Sequence, residues 1–138
     1  MATKIMFDSL TRKERTIYID EPYTENAIQA LKECIVKGQI NPANFETAIV
    51  VYDCNEGINE NPESMSHYPL RFRSDKQDAF VFVSGVTAGY GGTGPHGTVS
   101  CLEIMGFELT EAQKTSVLTK EKTPEGEEKT FVQLTFTK

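Results

Sequence analysis

Residues 79–106 read AFVFVSGVTAGYGGTGPHGTVSCLEIMG and hold most of the information about how this chain folds. The pattern predicts a strand at residues 79–86, with apolar side chains on both faces. Six of the ten glycines lie within residues 85–97. Apolar residues then recur at every third position, which predicts a short helix at residues 98–105. The segment is therefore a strand, a glycine-rich loop and a helix in succession.

The strand at residues 79–86 is expected to pair with a preceding strand at residues 68–73 in an antiparallel hairpin. In the simplest register Arg73 lies opposite Ala79, and His67 lies near the glycine-rich loop. A strand that is apolar on both faces is either central in its layer or in contact with a second subunit. A homo-oligomer is therefore one expectation for this chain.

The rest of the sequence adds two further hairpins and one long helix. This helix is expected between Thr24 as its N-cap and Gly38 as its C-terminal stop, with one apolar stripe along it. Thr110 begins a capping box for one further helical turn. The remaining strands are predicted at residues 5–7, 16–19, 46–53, 116–120 and 130–137, and a polar loop at residues 54–66.

The order of these elements predicts an α+β fold with a mainly antiparallel sheet of six or seven strands. One long and one short helix are expected to pack on the sheet. The length of 138 residues suits a single globular domain over residues 1–138. Hydrophobic residues make up 38% of the chain and charged residues 25%, which is the composition of a globular protein rather than a disordered one.

The charge balance restricts the partners of the chain. Lys and Arg number 14 against 20 Asp and Glu, which gives a formal charge of −6. Nucleic-acid polymers and anionic membranes both require a concentrated positive surface, so neither is an expected partner. The longest apolar run, residues 48–52, predicts neither a membrane helix nor a signal-peptide core. The three cysteines form no paired motif, so free thiols and a cytoplasmic location are expected.

The density of glycine between the strand and the helix needs a reason, because each glycine costs conformational entropy on folding. A loop that ends at a helix N-terminus can turn backbone N–H groups toward one point, where the helix dipole adds positive charge. Residues 88–98 are therefore expected to form a cup of amides for a phosphate group, beside a ring for stacking. The predicted binding residues are Gly89, Tyr90, Gly91, Gly92, Thr93, Gly94, His96, Gly97 and Thr98.

Known nucleotide-binding motifs do not account for this loop. Three of its glycines fit G-x-G-x-x-G, but Pro95 follows at once and the predicted helix is too short for a dinucleotide-binding fold. A P-loop would need Lys and Ser or Thr where Pro95 and His96 stand. Two other interpretations stay open: a tight loop without a ligand, and a subunit contact anchored by Tyr90.

Three side chains outside the loop are candidates for the same site. Arg71 and Arg73 share one face of their strand, and paired guanidinium groups are common partners of phosphate. His67 is expected beside the mouth of the loop. The two arginines lie toward the far end of the hairpin, so either a symmetry-related subunit brings them to the loop or they face solvent.

Catalytic candidates are few. Cys101 and His96 could support nucleophilic chemistry, since a thiol near a helix N-terminus can have a lowered pKa. Cys101 lies among apolar residues, however, which favours a buried and inert thiol. The two histidines come with no assignable carboxylates, so no metal site is predicted, and no cofactor is expected. The chain is therefore expected not to be an enzyme.

The sequence thus predicts non-enzymatic binding of a small phosphorylated ligand, a nucleotide or a nucleotide-derived signal. Such a protein either senses its ligand or sequesters it, as phage anti-defence sponges do. The alternative is an acidic protein–protein interaction module, such as an immunity or inhibitor protein, in which residues 53–63 meet a basic partner.

Overall fold

Six strands and three α-helices make up the part of the chain that the structure, a computed structural model, describes. The described residues are 3–7, 15–53, 68–76, 79–89, 91–119, 124–126 and 131–138. In chain order the elements are β1 (Thr3–Phe7), β2 (Arg15–Ile19), α1 (Thr24–Val36), β3 (Thr47–Asp53), β4 (Leu70–Ser74), β5 (Ala79–Val83), α2 (Thr93–Ile104), α3 (Glu111–Leu118) and β6 (Phe131–Thr137). A short 3₁₀ turn, Pro42–Asn44, lies between α1 and β3.

The strands form one mixed sheet in the order β1-β2-β5-β4-β3-β6. β2 and β5 run parallel, and the other four neighbouring pairs are antiparallel. In the parallel pair Ile17 lies beside Val81, and Ile19 lies beside Val83. The predicted α+β class is confirmed. The parallel pair was not predicted, and it brings together two strands that each lead into a helix.

The helices differ from the prediction of one long and one short helix. They contain 13, 12 and 8 residues. α2 begins at Thr93 rather than at residue 98, because Pro95 is tolerated in a first helical turn, where no N–H is needed. The strand predicted at residues 116–120 is wrong, since these residues continue α3 as far as Leu118. The capping box at Thr110 is present and starts this helix.

The hairpin of β4 and β5 is present, but its predicted register is wrong by one residue. Arg73 lies opposite Phe80, and Ser74 rather than Arg73 lies opposite Ala79. A shift of one residue exchanges the two faces of a strand. The observed register places Phe72 on the same face as Val81 and leaves the arginines on the other face. β5 ends at Val83, three residues earlier than predicted.

The two edge strands of the sheet are β1 and β6. β1 and β2 form the predicted antiparallel hairpin, with Phe7 opposite Arg15. β6 was predicted to pair with a strand at residues 116–120, and it instead pairs with β3, with Ala48 opposite Phe136. The C-terminal strand therefore closes the far edge of the sheet.

The three helices cover one face of the sheet, which we call the core face. Its strands contribute Ile17, Ile19, Val50, Leu70, Phe72, Val81, Val83 and Phe136 to one buried cluster. The helices contribute Ala27, Leu31, Cys34, Cys101, Leu102 and Val117 to the same cluster. The apolar stripe predicted along α1 is thus confirmed at Ala27, Leu31 and Cys34, which are buried.

The opposite face of the sheet, which we call the outer face, carries a different set of side chains. Phe80 and Phe82 lie there on β5, beside Tyr18 on β2 and Arg71 and Arg73 on β4. These five side chains are partly exposed. All three described helices pack on the core face, and on the outer face Val51 is buried whereas these five side chains keep part of their surface exposed.

Candidate functional site

The carboxyl ends of the two inner strands β2 and β5 lie side by side, and each strand leads into a helix there. We call this end of the sheet the carboxyl edge. Ser84 joins the two ends. Its N–H donates to Ile19 O at 2.8 Å, and its Oγ accepts the N–H of Glu21 at 2.9 Å. Ligands of sheets with parallel strands commonly bind just beyond the carboxyl ends of those strands. The glycine-rich loop lies at this edge. The sequence predicted the loop but not its position beside the end of β2.

Gly85 lets the loop pass close to the start of α1. Its φ is +78°, and a Cβ on it would lie 2.5 Å from Glu21 O. Thr24 Oγ1 donates a hydrogen bond to Gly85 O at 2.7 Å. Thr24 was expected to be the N-cap of α1, but Tyr23 occupies that position and Thr24 is the first helical residue. The hydroxyl of Thr24 therefore fastens the loop rather than capping its own helix.

Gly97 provides the second close approach at this edge. A Cβ on Gly97 would collide with the side-chain methyl group of Thr24 and would lie 3.3 Å from Val86 Cγ1. Gly97 is buried within α2, at the point where this helix contacts α1. Gly97 was predicted to bind ligand, and in the structure its surroundings are those of a helix-packing glycine.

The middle of the loop folds back onto α2. Thr87 N–H donates to Gly94 O at 3.3 Å, and Thr98 Oγ1 donates to Thr87 O at 2.5 Å. Gly94 and Thr98 are buried in this arrangement. Two further predicted binding residues are therefore involved in contacts within the chain.

Gly89 is held by α3 and by the sheet. Its N–H donates to Val117 O at 2.8 Å, and its φ is +95°. A Cβ on Gly89 would lie 3.1 Å from the ring of Tyr52. The amide of Gly89 is therefore bonded within the chain and does not contribute to the cup of amides predicted at residues 88–98.

The start of α2 is the part of the loop that faces outward. Gly92 is the N-cap in an extended conformation (φ −119°), and no side chain caps the helix. Gly91, Thr93 and His96 are exposed, and a Cβ on Gly91 would have no atom within 4 Å. The first-turn N–H groups of a helix have no intrahelical acceptor. Pro95 carries no N–H and Gly94 is buried, so the amides that remain at this end of the helix are those of Gly91, Gly92 and Thr93.

The start of α2 differs from the starts of the other two described helices. α1 carries Glu25 in its first turn. α3 carries Glu111 in its first turn and is capped by the hydroxyl of Thr110. α2 has neither an acidic residue in its first turn nor a side-chain cap. The positive end of its dipole is therefore offset by no carboxylate of its own first turn.

Arg71 and Arg73 do not join this site within one chain. They lie on the outer face, whereas α2 packs on the core face. Arg71 Nε donates to Tyr68 O at 3.2 Å, and its guanidinium carbon lies 5.4 Å from the centre of the Phe82 ring. Desolvation lowers the pKa of Arg71. Arg73 Nε lies 3.0 Å from Asp75 Oδ1.

Three sequence predictions fall outside the described residues. They are the stacking role of Tyr90, the position of His67 beside the loop, and all but Asp53 of the acidic segment at residues 53–63. Aromatic residues next to the loop include Tyr52, whose ring faces Gly89, and Tyr23, whose backbone oxygen lies near Gly85 and whose side chain is 69% exposed. Sequence pattern did not single out Tyr23, because its position near the loop depends on the tertiary contact of Thr24 with Gly97.

Cys101 is not suited to nucleophilic chemistry. Its side chain is fully buried, and burial raises the pKa of its thiol to about 12. At neutral pH almost none of the reactive thiolate is present. His96 is exposed at the start of α2, whereas Cys101 lies within the core. The thiol of Cys34 is also buried.

The described residues contain no group of three or more His, Cys, Asp or Glu side chains placed to hold a metal ion. In the same part of the chain no helix has the length and apolar character needed to cross a membrane.

Comparisons with protein-family models, with curated proteins and with solved structures find no match to this chain. A function is therefore inferred from the chain's own geometry.

Proposed function

We propose that this chain binds a small phosphorylated ligand, a nucleotide or a nucleotide-derived signal, at the start of α2. The observation that carries the proposal is the open N-terminus of this helix, where glycine is the N-cap and no side chain caps it. Phosphate oxygens can accept hydrogen bonds from the N–H groups of Gly91, Gly92 and Thr93, and the helix dipole favours their charge. The hydroxyl of Thr93 and the ring of His96 are exposed beside these amides.

The lack of side chains at Gly91 and Gly92 is consistent with this role. A ligand phosphate must approach the backbone closely to reach the amides, and a Cβ at either position would occupy part of that space. Gly92 has an ordinary extended φ of −119°, so its backbone conformation does not itself require glycine. Access to the amides is the physical reason that we assign to glycine here.

The rest of a nucleotide could extend from the phosphate toward α1. Tyr23 has an exposed side chain and directly precedes Thr24, the residue of α1 that contacts Gly97 of α2. A base or a sugar could stack on this ring while the phosphate binds at α2. We propose binding without catalysis, because the nearest thiol, Cys101, is buried with a raised pKa. Sensing and sequestration are both compatible with such a site.

The test is a thermal-shift assay against mono-, di- and cyclic nucleotides and ADP-ribose derivatives. A ligand at one hundred times its Kd stabilises the folded state by about 2.7 kcal/mol, which raises the Tm by several degrees. Gly92→Asp should remove this shift, because its carboxylate would occupy the amides itself. The same substitution should raise the stability of the unliganded chain by about 0.5–1 kcal/mol.

Gln29→Glu is the matched control for Gly92→Asp. It adds the same charge at an exposed position of α1 and should keep the ligand-induced shift of the unmodified chain. No shift with any compound of the panel would contradict the proposal. A shift that Gly92→Asp leaves intact would equally contradict the assignment of the site to α2.

A second copy of this chain is the partner that we propose for the outer face. The ring of Phe82 stacks on that of Tyr18, with centroids 5.1 Å apart and an interplanar angle of 12°. Phe80 stacks on Phe82 at 5.7 Å, and Arg71 lies over Phe82 on the side of β4. Because these rings contact one another through their faces, they leave mainly edges for a partner, which suits protein contacts better than base stacking.

Light scattering coupled to size-exclusion chromatography tests this contact. We expect twice the mass of one chain at micromolar concentration, and a single-chain mass for Phe80→Glu, since the new carboxylate would be desolvated in the contact. Thr115→Glu, at an exposed position of α3, is the control and should stay dimeric. A single-chain mass for the unmodified protein would contradict this part of the proposal.

A further inference from the structure

A small cleft lies at the opposite end of α1 from the proposed phosphate site. It has a volume of about 130 Å³ and opens between the connection that follows α1 and the start of β5. α1 contains 13 residues, so the cleft is roughly 20 Å from the start of that helix at a rise of about 1.5 Å per residue. A single mononucleotide phosphate at α2 therefore leaves this cleft free.

One wall of the cleft is lined by Gln39, Asn41 and Asn44, all of which have carboxamide side chains. Asn41 Oδ1 accepts the N–H of Ala43 at 3.2 Å, which leaves the NH₂ group of Asn41 to other partners. Among the described residues, the carboxamides of Gln39 and Asn44 have no hydrogen-bond partner. The cleft therefore offers both donors and acceptors from three neutral side chains.

The backbone behind these carboxamides is held in place. Gly38 has a φ of +76°, which ends α1 and turns the chain. Gln39 N–H then donates to Cys34 O at 2.9 Å, and Asn44 N–H donates to Asn41 O at 3.0 Å. The carboxamides project from a connection with internal hydrogen bonds, so a ligand would meet a largely preformed wall.

The other wall of the cleft is apolar. Ile17 and Phe45 are buried, and Phe80 is partly exposed at the rim. Every lining residue that the structure describes is uncharged. The cleft also lies at the C-terminal end of α1, where the helix dipole disfavours anions. Among the described residues these features disfavour a second phosphate and favour a neutral ligand with one apolar face.

We propose that this cleft binds a small, uncharged, planar nitrogen heterocycle of the nucleobase type. Asn and Gln carboxamides pair with adjacent donor and acceptor atoms on one edge of such a ring, as they do with adenine. The apolar wall would contact the face of the ring. A volume of about 130 Å³ suits one ring system rather than a whole nucleotide.

Nuclear magnetic resonance with free adenine and free cytosine as probes tests this site. The side-chain NH₂ signals of Gln39 and Asn44 should shift in a saturable way with at least one base, with a Kd of roughly millimolar order for so small a ligand. Inorganic phosphate should leave these signals unchanged. If neither base moves the two signals at concentrations of about 10 mM, the proposal is wrong.

Leucine substitutions separate binding through the carboxamides from a general effect of the bases. Gln39→Leu and Asn44→Leu should each weaken binding of the active base at least tenfold, because each removes a donor and an acceptor. Gln29→Leu alters an exposed carboxamide of α1 outside the cleft and should bind as the unmodified chain does. If Asn44→Leu fails to fold, Gln39→Leu alone decides, and unchanged affinity in Gln39→Leu would overturn the proposal.

Discussion

Gly85→Ala is expected to lower the free energy of unfolding by about 3–5 kcal/mol. A Cβ at this position would lie 2.5 Å from Glu21 O and 3.2 Å from Tyr23 O. Both oxygens belong to the backbone, so no change of rotamer can relieve the contact. The φ of +78° adds about 1–2 kcal/mol of strain for a residue other than glycine. Urea unfolding followed by circular dichroism measures the loss.

Gly38→Ala is the matched control for Gly85→Ala. Gly38 has nearly the same φ, +76°, but a Cβ there would have no atom within 4 Å. Its substitution therefore carries the backbone strain alone, and we expect a loss of about 1–2 kcal/mol. Equal losses for the two variants would show that the close approach of the loop to the start of α1 is not what Gly85 provides.

Gly97→Ala is expected to lower the free energy of unfolding by about 2 kcal/mol. Alanine favours a helix over glycine by about 1 kcal/mol, which alone would stabilise α2. The collision of the new Cβ with the methyl group of Thr24 acts in the opposite direction, at about 3 kcal/mol for overpacking. The second effect is larger, so the sum is destabilising. The Tm should fall by roughly 6–10 °C for a domain of this size.

Thr24→Ser provides the control for Gly97→Ala, because serine lacks the methyl group but keeps the hydroxyl that donates to Gly85 O. In the Thr24→Ser background, Gly97→Ala should become neutral or stabilising by up to about 1 kcal/mol. This reversal of sign, measured by urea unfolding of all four chains, identifies the contact. A loss of about 2 kcal/mol in both backgrounds would contradict it.

Local sequence pattern was sufficient to predict most of the helices, and the strand pairs whose two strands follow each other in the chain. The apolar stripe of α1 and the stop at Gly38 follow from helical periodicity and from the ease with which glycine takes a positive φ. The capping box at Thr110 was recognised from residue type and spacing. The helix that follows it has 8 residues, whereas the sequence predicted a single turn, because α3 has a weak apolar pattern in which only Val117 is buried.

The parallel pair of β2 and β5 could not be predicted from local pattern. The two strands are far apart in sequence. The hydrogen bond from Ser84 Oγ to Ile19 O, at their carboxyl ends, joins residues that are 65 positions apart. Neither strand reveals its neighbour by its own composition. The edge where α1 and α2 begin is a consequence of this pairing. The sequence therefore did not predict that Tyr23, Thr24 and Ser84 would meet there.

The glycine-rich loop was recognised as unusual, but one reason was assumed for all of its glycines. The structure separates them into two kinds. Gly85, Gly89 and Gly97 stand where a side chain would meet other parts of the chain. Gly91 and Gly92 lie at the exposed start of α2, where no such contact is found for Gly91. Sequence spacing could not distinguish the two kinds, because the distinction depends on tertiary contacts.

The register of β4 also decided which candidate side chains could meet. A hairpin shifted by one residue exchanges the faces of the strand, and the sequence allowed both registers. The observed register places Phe72 in the core and both arginines on the outer face. The arginines are thereby separated from the start of α2 by the sheet itself.

The most direct test of ligand binding at α2 is a titration of ¹⁵N-labelled protein with adenosine monophosphate, cyclic nucleotides and inorganic phosphate, followed through backbone amide signals. We expect saturable shifts at Gly91, Gly92 and Thr93, and smaller ones at Gly89, whose N–H is bonded to Val117 O. Gly92→Asp should abolish these shifts. Amides of Gly91, Gly92 and Thr93 that stay unchanged with every compound, while the rest of the spectrum shows a folded chain, would contradict the proposed site.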